Sequence, residues 1–169
     1  MRIAITDACI FIDIYELQLT TEFFSLDLEI HTSFDVFMEV HEHQKELLKA
    51  FQSIGKFTIH NITQEDRLVI IKDNYPKSLS DNDKTVLYLA EKLEAMVVSS
   101  DRMVRNCAKK KEIEYHGMLW IFDKLLEKGV ISSEDAISKL KKLINSNIVY
   151  QNNAELVSEM NKRLKLWGN

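Results

Sequence analysis

Proline and glycine are scarce: one proline, Pro76, and four glycines serve all 169 residues. That leaves little material for flexible linkers or for a loop-rich fold. Cysteine is scarce too. Cys9 and Cys107 give neither a disulfide framework nor a zinc-ligand spacing, and each reads as a small buried apolar residue rather than a catalytic thiol. No apolar run approaches the ~20 residues of a membrane span. The start, Met1-Arg2-Ile3-Ala4-Ile5-Thr6-Asp7, reaches a carboxylate too early for a secretory signal. A soluble cytoplasmic protein without membrane association is expected.

What the chain does have is a core. Its hydrophobic content of 46% is enough to bury one, and its length suits a single domain with a small appendage. The net charge of −4 is unevenly placed. Residues 138–169 carry Lys139, Lys141, Lys142, Lys162, Arg163 and Lys165 against Glu155 and Glu159, a local +4, which leaves −8 for the remainder. An acidic body with a basic border suits a metal-dependent site, because bound cations offset the charge. The same lysines also suit a solvated helix surface.

Strand and helix patterns alternate along the chain. Arg2–Asp7 reads as a first strand and Ala8–Leu17 as a short helix; Leu26–Thr32 alternates as a strand. Ser33 caps a long helix predicted from Phe34 to about Ile54, stopped by Gly55. Lys56–Ile62 is β-like, and Thr63-Gln64-Glu65-Asp66 starts a capped helix that runs to Asn74 before Pro76. Ser80-Asp81-Asn82-Asp83 opens a helix through Leu93, Ala95–Ser99 is a compact apolar strand, and Asp101 begins another helix. A short strand at Ile113–Tyr115, a helix from Gly117 to Lys128 ended by Gly129, and helices from Ser132/Ser133 and Asn152/Asn153 complete the pattern. Such alternation predicts an α/β fold, a three-layer α/β/α sandwich around a mainly parallel sheet.

Three acids fall in one kind of place. Asp7 ends the first strand, Asp83 lies at a helix start, and Asp101 follows the apolar strand. Strand carboxyl ends gather in the ligand crevice of open α/β sheets, and carboxylate oxygens are the donors that Mg²⁺ or Mn²⁺ prefers. Each could equally be a helix cap, and capping and metal binding can coexist. A fourth acid comes from the long helix, whose apolar face is defined by Val36, Phe37, Val40, Leu47 and Phe51. Glu39 falls at the border of that face and Glu42 near the middle of the polar face, so Glu39 is the candidate, with an ordinary surface glutamate as its alternative. Arg102 and Arg105 stand where they can position phosphate; Arg105 is also spaced for an i,i+4 pair with Asp101. His41 and His43, two apart on a helix, should point away from one another and chelate poorly. Trp120 and Trp167 read as core or interface aromatics rather than base-stacking platforms.

Four segments in order resemble the PIN-domain proteins, including the VapC-type toxins of bacterial toxin–antitoxin pairs. They are Asp7 in Ile-Thr-Asp-Ala-Cys-Ile-Phe-Ile, Glu39 in Phe-Met-Glu-Val, Asp83 in Leu-Ser-Asp-Asn-Asp-Lys-Thr-Val-Leu-Tyr-Leu-Ala, and Asp101 in Met-Val-Val-Ser-Ser-Asp-Arg. The similarity spans about residues 2–131 and includes Glu114-Tyr115-His116-Gly117-Met118-Leu119. It implies a metal-dependent endoribonuclease whose acids are Asp7, Glu39, Asp83 and Asp101, with Ser99 as a site-ordering hydroxyl and Mg²⁺ or Mn²⁺ as cofactor. RNA would be the substrate, and a toxin would have an antitoxin protein as partner. The alternative is a nonenzymatic PIN-like module that binds RNA or protein. Ala8-Cys9 departs from the polar pair many members carry after the first acid, and Asp81 competes with Asp83.

The resemblance sets the domain at residues 1–131, with 132–169 a helical extension packed on the same domain. Leu140, Leu143, Ile144 and Ile148 recur at helical spacing there, as do Leu156, Met160, Leu164 and Trp167. A homodimer is implied as well, with Ile70, Ile71, Phe122, Leu125 and Leu126 as candidate apolar surface.

Overall fold

Buried, nearly continuous apolar strands build the centre. In the computed structural model, which describes residues 1–169, the strands are β1 (Arg2–Thr6), β2 (Leu28–Ser33), β3 (Phe57–His60), β4 (Met96–Val98) and β5 (Tyr115–His116). All pairings are parallel, in the order β3-β2-β1-β4-β5. Ala4, Ile5, Thr6, Val97 and Val98 are fully buried, as parallel strands covered on both faces require. Ile5 lies between His31 of β2 and Val97 of β4. The chain thus leaves β1 in one direction and returns to build β4 on its other side. The carboxyl ends of β1 and β4 flank this switch point, where a crevice opens in such sheets.

The helices cover both faces: α1 (Ala8–Glu16), α2 (Thr20–Phe24), α3 (Phe34–Glu39), α4 (Glu42–Ser53), α5 (Gln64–Lys72), α6 (Asp81–Lys92), α7 (Arg102–Lys110), α8 (Met118–Glu127), α9 (Ser133–Ser146), α10 (Ile148–Gln151) and α11 (Ala154–Trp167). Gly55 and Gly129 end α4 and α8 at φ +73° and +65°, the left-handed geometry that glycine adopts without strain. Thr63 and Asp66 form a reciprocal capping box on α5. One core of 39 buried residues takes Ala136, Leu140, Leu143, Tyr150 and Met160 from α9–α11 together with the sheet-packing residues. No helix is long and apolar enough to cross a membrane.

The expected helix from Phe34 to Ile54 is two helices. Val40 is extended (ψ 144°) and His41 likewise (ψ 150°). The break lets Val36, Phe37 and Val40 bury beside α1 and the sheet while α4 turns Gln44, Lys45 and Leu48 inward on a new axis. It also overturns the expectation for the histidines: His41 is the extended cap of α4, and its ring stacks on His43 with centroids 5.9 Å apart. The short helices α2 and α10 carry too few residues for a periodicity to register. Among the apolar residues expected at the surface, Ile70, Phe122 and Leu125 are core and Leu126 packs against it; only Ile71 is open, at 77% exposure. Ile148, expected to continue the buried stripe of α9, is exposed on α10.

Candidate active site

The first acid is held by the chain on both sides of the switch point. Asp7 directly follows β1 and caps α1, accepting from the Ile10 N–H at 3.0 Å. Its other oxygen accepts from the Ser99 hydroxyl, which follows β4. The Ser99 oxygen in turn accepts the Asp101 N–H at 3.0 Å, so one hydroxyl orients two acids. Asp101 caps α7, taking the Met103 and Val104 N–H groups on Oδ1 at 2.7 and 3.0 Å. Asp83 sits in the first turn of α6. Its N–H donates to Ser80 Oγ at 3.1 Å, and that hydroxyl donates back to Asp83 Oδ2 at 2.7 Å. All three aspartates are therefore tied to helix starts, and capping and clustering coincide. Glu39 is different: it ends α3, is exposed, and receives no hydrogen bond that fixes it. The α3 start is nonetheless tied to α6, because Ser33 Oγ and Thr85 Oγ1 are 2.7 Å apart.

These acids share a field. Asp7 is 2% exposed, and burial pushes its carboxyl up to about 7, helped by Asp83 and Asp101 and partly opposed by Ser99 and Ile10. Burial also raises Asp83, offset by Ser80 and reinforced by Asp101 and Glu39. The four are linked by electrostatics rather than by contact, since no three His, Cys, Asp or Glu side chains form a close metal-binding trio. The donor chemistry still fits a hard divalent cation. Every donor is a carboxylate oxygen, Asp83 Oδ1 and Asp101 Oδ2 have no hydrogen-bond partner, and the mutual repulsion is what such a cation relieves.

Cys9 corrects the expectation of a buried residue: it is exposed. Its thiol is nevertheless pushed up to about 12, by desolvation first and then by Asp7, Asp13, Asp101 and Asp83. A thiol so protonated is a poor nucleophile. Cys107 is buried, as expected.

A groove of about 690 Å³ opens beside Asp101, between α7, the β5–α8 turn and α10–α11. Arg102 and Arg105 line it. Arg105 makes no ion pair with Asp101; its guanidinium lies 5.4 Å from the Tyr115 ring centroid. Residues beyond the sequence candidates join this region. Tyr150 of α10 places its hydroxyl 3.0 Å from Asp13 Oδ2 and 2.8 Å from Ser100 Oγ, donating to the carboxylate and accepting from the serine. Burial raises the Asp13 carboxyl, against the Tyr150 and Asn147 hydrogen bonds. Lys139 and Lys142 donate to the Leu17 and Glu16 carbonyls that end α1. No local spacing announces these partners, because Asp13 and Tyr150 lie 137 residues apart; the one available signal was an acid inside the apolar run of α1.

Comparison with known proteins agrees with this architecture. The chain is similar to a PilT N-terminus domain protein from the hyperthermophilic archaeon Sulfolobus solfataricus, with a TM-score of 0.52 over 74% of this chain and 94% of that one. At 12% identity the likeness shows the fold alone. No curated protein matches the chain. A PIN-domain family model matches residues 3–165. On that match, across nearly the whole sequence, the chain belongs to the PIN-domain family, whose fold is generally that of a nuclease.

Proposed function

We propose that this PIN domain is an endoribonuclease that uses Mg²⁺ or Mn²⁺ to hydrolyse RNA phosphodiester bonds in the cytoplasm. The observation that carries the reading is geometric: Asp7 and Asp101 follow the adjacent strands β1 and β4 and are joined through Ser99, while Asp83 is held at the start of α6. Asp7, Asp83 and Asp101 would hold the ion, and Glu39, at the free end of α3, would ligate it or orient a water. When bound, the ion supplies Lewis acidity to the phosphate and a more acidic water. Ser99 keeps Asp7 and Asp101 in register through the hydrogen bonds described above. Arg102 and Arg105 position phosphate. Residues 132–169 act as an extension packed on residues 1–131.

The reading extends to the toxin of a toxin–antitoxin pair and to a homodimer. Phe34 and Met38 of α3 and Leu68, Val69 and Ile71 of α5 are exposed, and Arg67 joins the two helices by pairing with Asp35 at 2.9 Å. That apolar surface supports self-association, which sedimentation at micromolar concentration checks.

Calorimetric Mn²⁺ titration with a cleavage assay tests the activity. The expected outcome is Mn²⁺ binding and RNA cleavage that chelator stops. RNA or protein binding with neither Mn²⁺ binding nor cleavage would establish a nonenzymatic module instead.

A further inference from the structure

The wall of the groove formed by α7 carries Arg102, Arg105 and Lys109, spaced at three and four residues and so on one helical face. None of the three pairs with a carboxylate, whereas Lys111 and Arg163 each pair with two. Beside them, where Arg105 lies against Tyr115 and close to Gly117, is a stacked ring pair. His116, at the end of β5, and Trp120, one turn into α8, have centroids 4.2 Å apart and planes within 13°. Both rings are half-buried and line the groove, and His116 is fixed by Glu114 at 2.7 Å. The remaining wall is α10–α11, whose Glu155 and Glu159 also line the groove; Glu159 is neutralised by Lys162 and Arg163. That wall is tied to the segment carrying the acids by the hydrogen bond between Tyr150 and Ser100, the neighbour of Asp101.

Cations without carboxylate partners at helical intervals, a ring stack beside them, and an acid lining the same groove match the chemistry of a nucleotide strand. Unpartnered guanidinium and ammonium groups meet phosphates, and a flat aromatic surface takes the face of an unpaired base. A paired base has no face to offer, so the ligand is single-stranded. We propose that the His116–Trp120 pair is a base-stacking subsite, which holds one unpaired nucleotide of RNA while Arg102, Arg105 and Lys109 hold the adjoining phosphates. The proposal builds on the endoribonuclease reading, to which it adds where the strand lies.

Trp120 itself reports the test. Trp167, the other tryptophan, is outside the groove and packs near Phe122, so a Trp167→Phe background leaves one emitter. Titration of a short mixed-sequence oligoribonucleotide without divalent ions should quench Trp120, and a duplex of the same sequence should not. Trp120→Leu and His116→Ala should each weaken single-strand binding about tenfold, Trp120→Phe should retain most of it, and Mn²⁺ affinity should stay unchanged in all three. Circular dichroism checks folding; if Trp120→Leu fails to fold, His116→Ala and the quenching still decide. Binding of the oligoribonucleotide with no quenching and no loss in His116→Ala overturns the subsite. Quenching by an acidic peptide and not by RNA overturns it in favour of a protein ligand. Loss of the subsite with Mn²⁺ binding and cleavage intact leaves the endoribonuclease reading standing; quenching without Mn²⁺ binding or cleavage sinks that reading and keeps the subsite.

Discussion

The acids at the switch point and the cations along α7 adjoin, yet they are held in opposite ways. Asp7 is almost fully buried and receives two hydrogen bonds; Asp83 and Asp101 are tied to the first turns of α6 and α7. Arg102 and Lys109 are exposed, and neither has a carboxylate partner. Confining like charges together in a poorly solvated place costs stability unless a cation compensates. A loose surface cation carries no such penalty and can follow a mobile polyanion. Rigid carboxylates suit a small ion of fixed demands, and loose cations suit a strand. Glu39 is the exception among the acids, since it shares their field but not their anchoring.

The sharpest break in this contrast is to neutralise an anchored acid. Asp7→Asn, Asp83→Asn and Asp101→Asn should each abolish metal-dependent RNA cleavage while circular dichroism shows an intact fold. In the absence of metal, Asp7→Asn should also raise Tm at neutral pH, because it removes a buried charge. Cleavage at the wild-type rate by any one of them would strike that residue from the site.

Titration tests the same acid without mutation. Asp7 has a folded value of about 7 against an ordinary 3.8. The metal-free fold therefore binds the proton more tightly than the unfolded chain does. Its contribution to stability is fully present below about 3.8 and is lost as pH rises through about 7. Thermal melts between those values should show a decline that Asp7→Asn flattens, and Mn²⁺ affinity should fall as pH drops below about 7, where protons compete.

Removing a support should cost less than removing an acid. Ser99→Ala takes the hydroxyl from both Asp7 and Asp101; roughly 10–100-fold weaker Mn²⁺ binding is expected, with a stability loss of about 1–3 kcal/mol. Glu39→Gln should reduce cleavage while leaving Tm unchanged, because no internal hydrogen bond depends on it. A Tm drop in Glu39→Gln, or none in Ser99→Ala, would erase the distinction between anchored and loose acids.

Local chemistry explains which parts were readable from sequence. Asp7, Asp83 and Asp101 sit beside an apolar strand or a capping serine, so short-range pattern located them, and the alternation of elements gave the parallel sheet. The break at Val40–His41 was illegible because both halves keep one amphipathic phase, and no proline or glycine marks it. Glu39 lies at the end of α3 rather than inside one long helix, although its own segment is helical. Phe122 and Leu125 are buried where α2 and α9 pack on α8 and Trp167 of α11 approaches Phe122, which residue periodicity does not report. Asp13, Ser100 and Tyr150 belong together only through tertiary contact.

That last trio gives the smallest expected effect and the most specific one. Tyr150 is 2% exposed, and burial and Asp13 hold its phenol well above its usual range, so it serves as a fixed donor. Removing residues 150–169 would also delete the core residues Tyr150 and Met160, and loss of function would then say little about the site. Tyr150→Phe keeps the ring and deletes only the bridge between Asp13 and Ser100. Stability should fall by about 1–3 kcal/mol, since a buried carboxylate loses its donor, and Tm by about 2–12 °C for a chain of this length. Mn²⁺ affinity should hold, because Ser99 still orients Asp7 and Asp101. Single-strand RNA affinity should drop severalfold as α10 loosens from the groove. Equal losses in Mn²⁺ and RNA affinity would place Tyr150 with the anchored acids; stability loss alone would make α10 a cover without a part in binding.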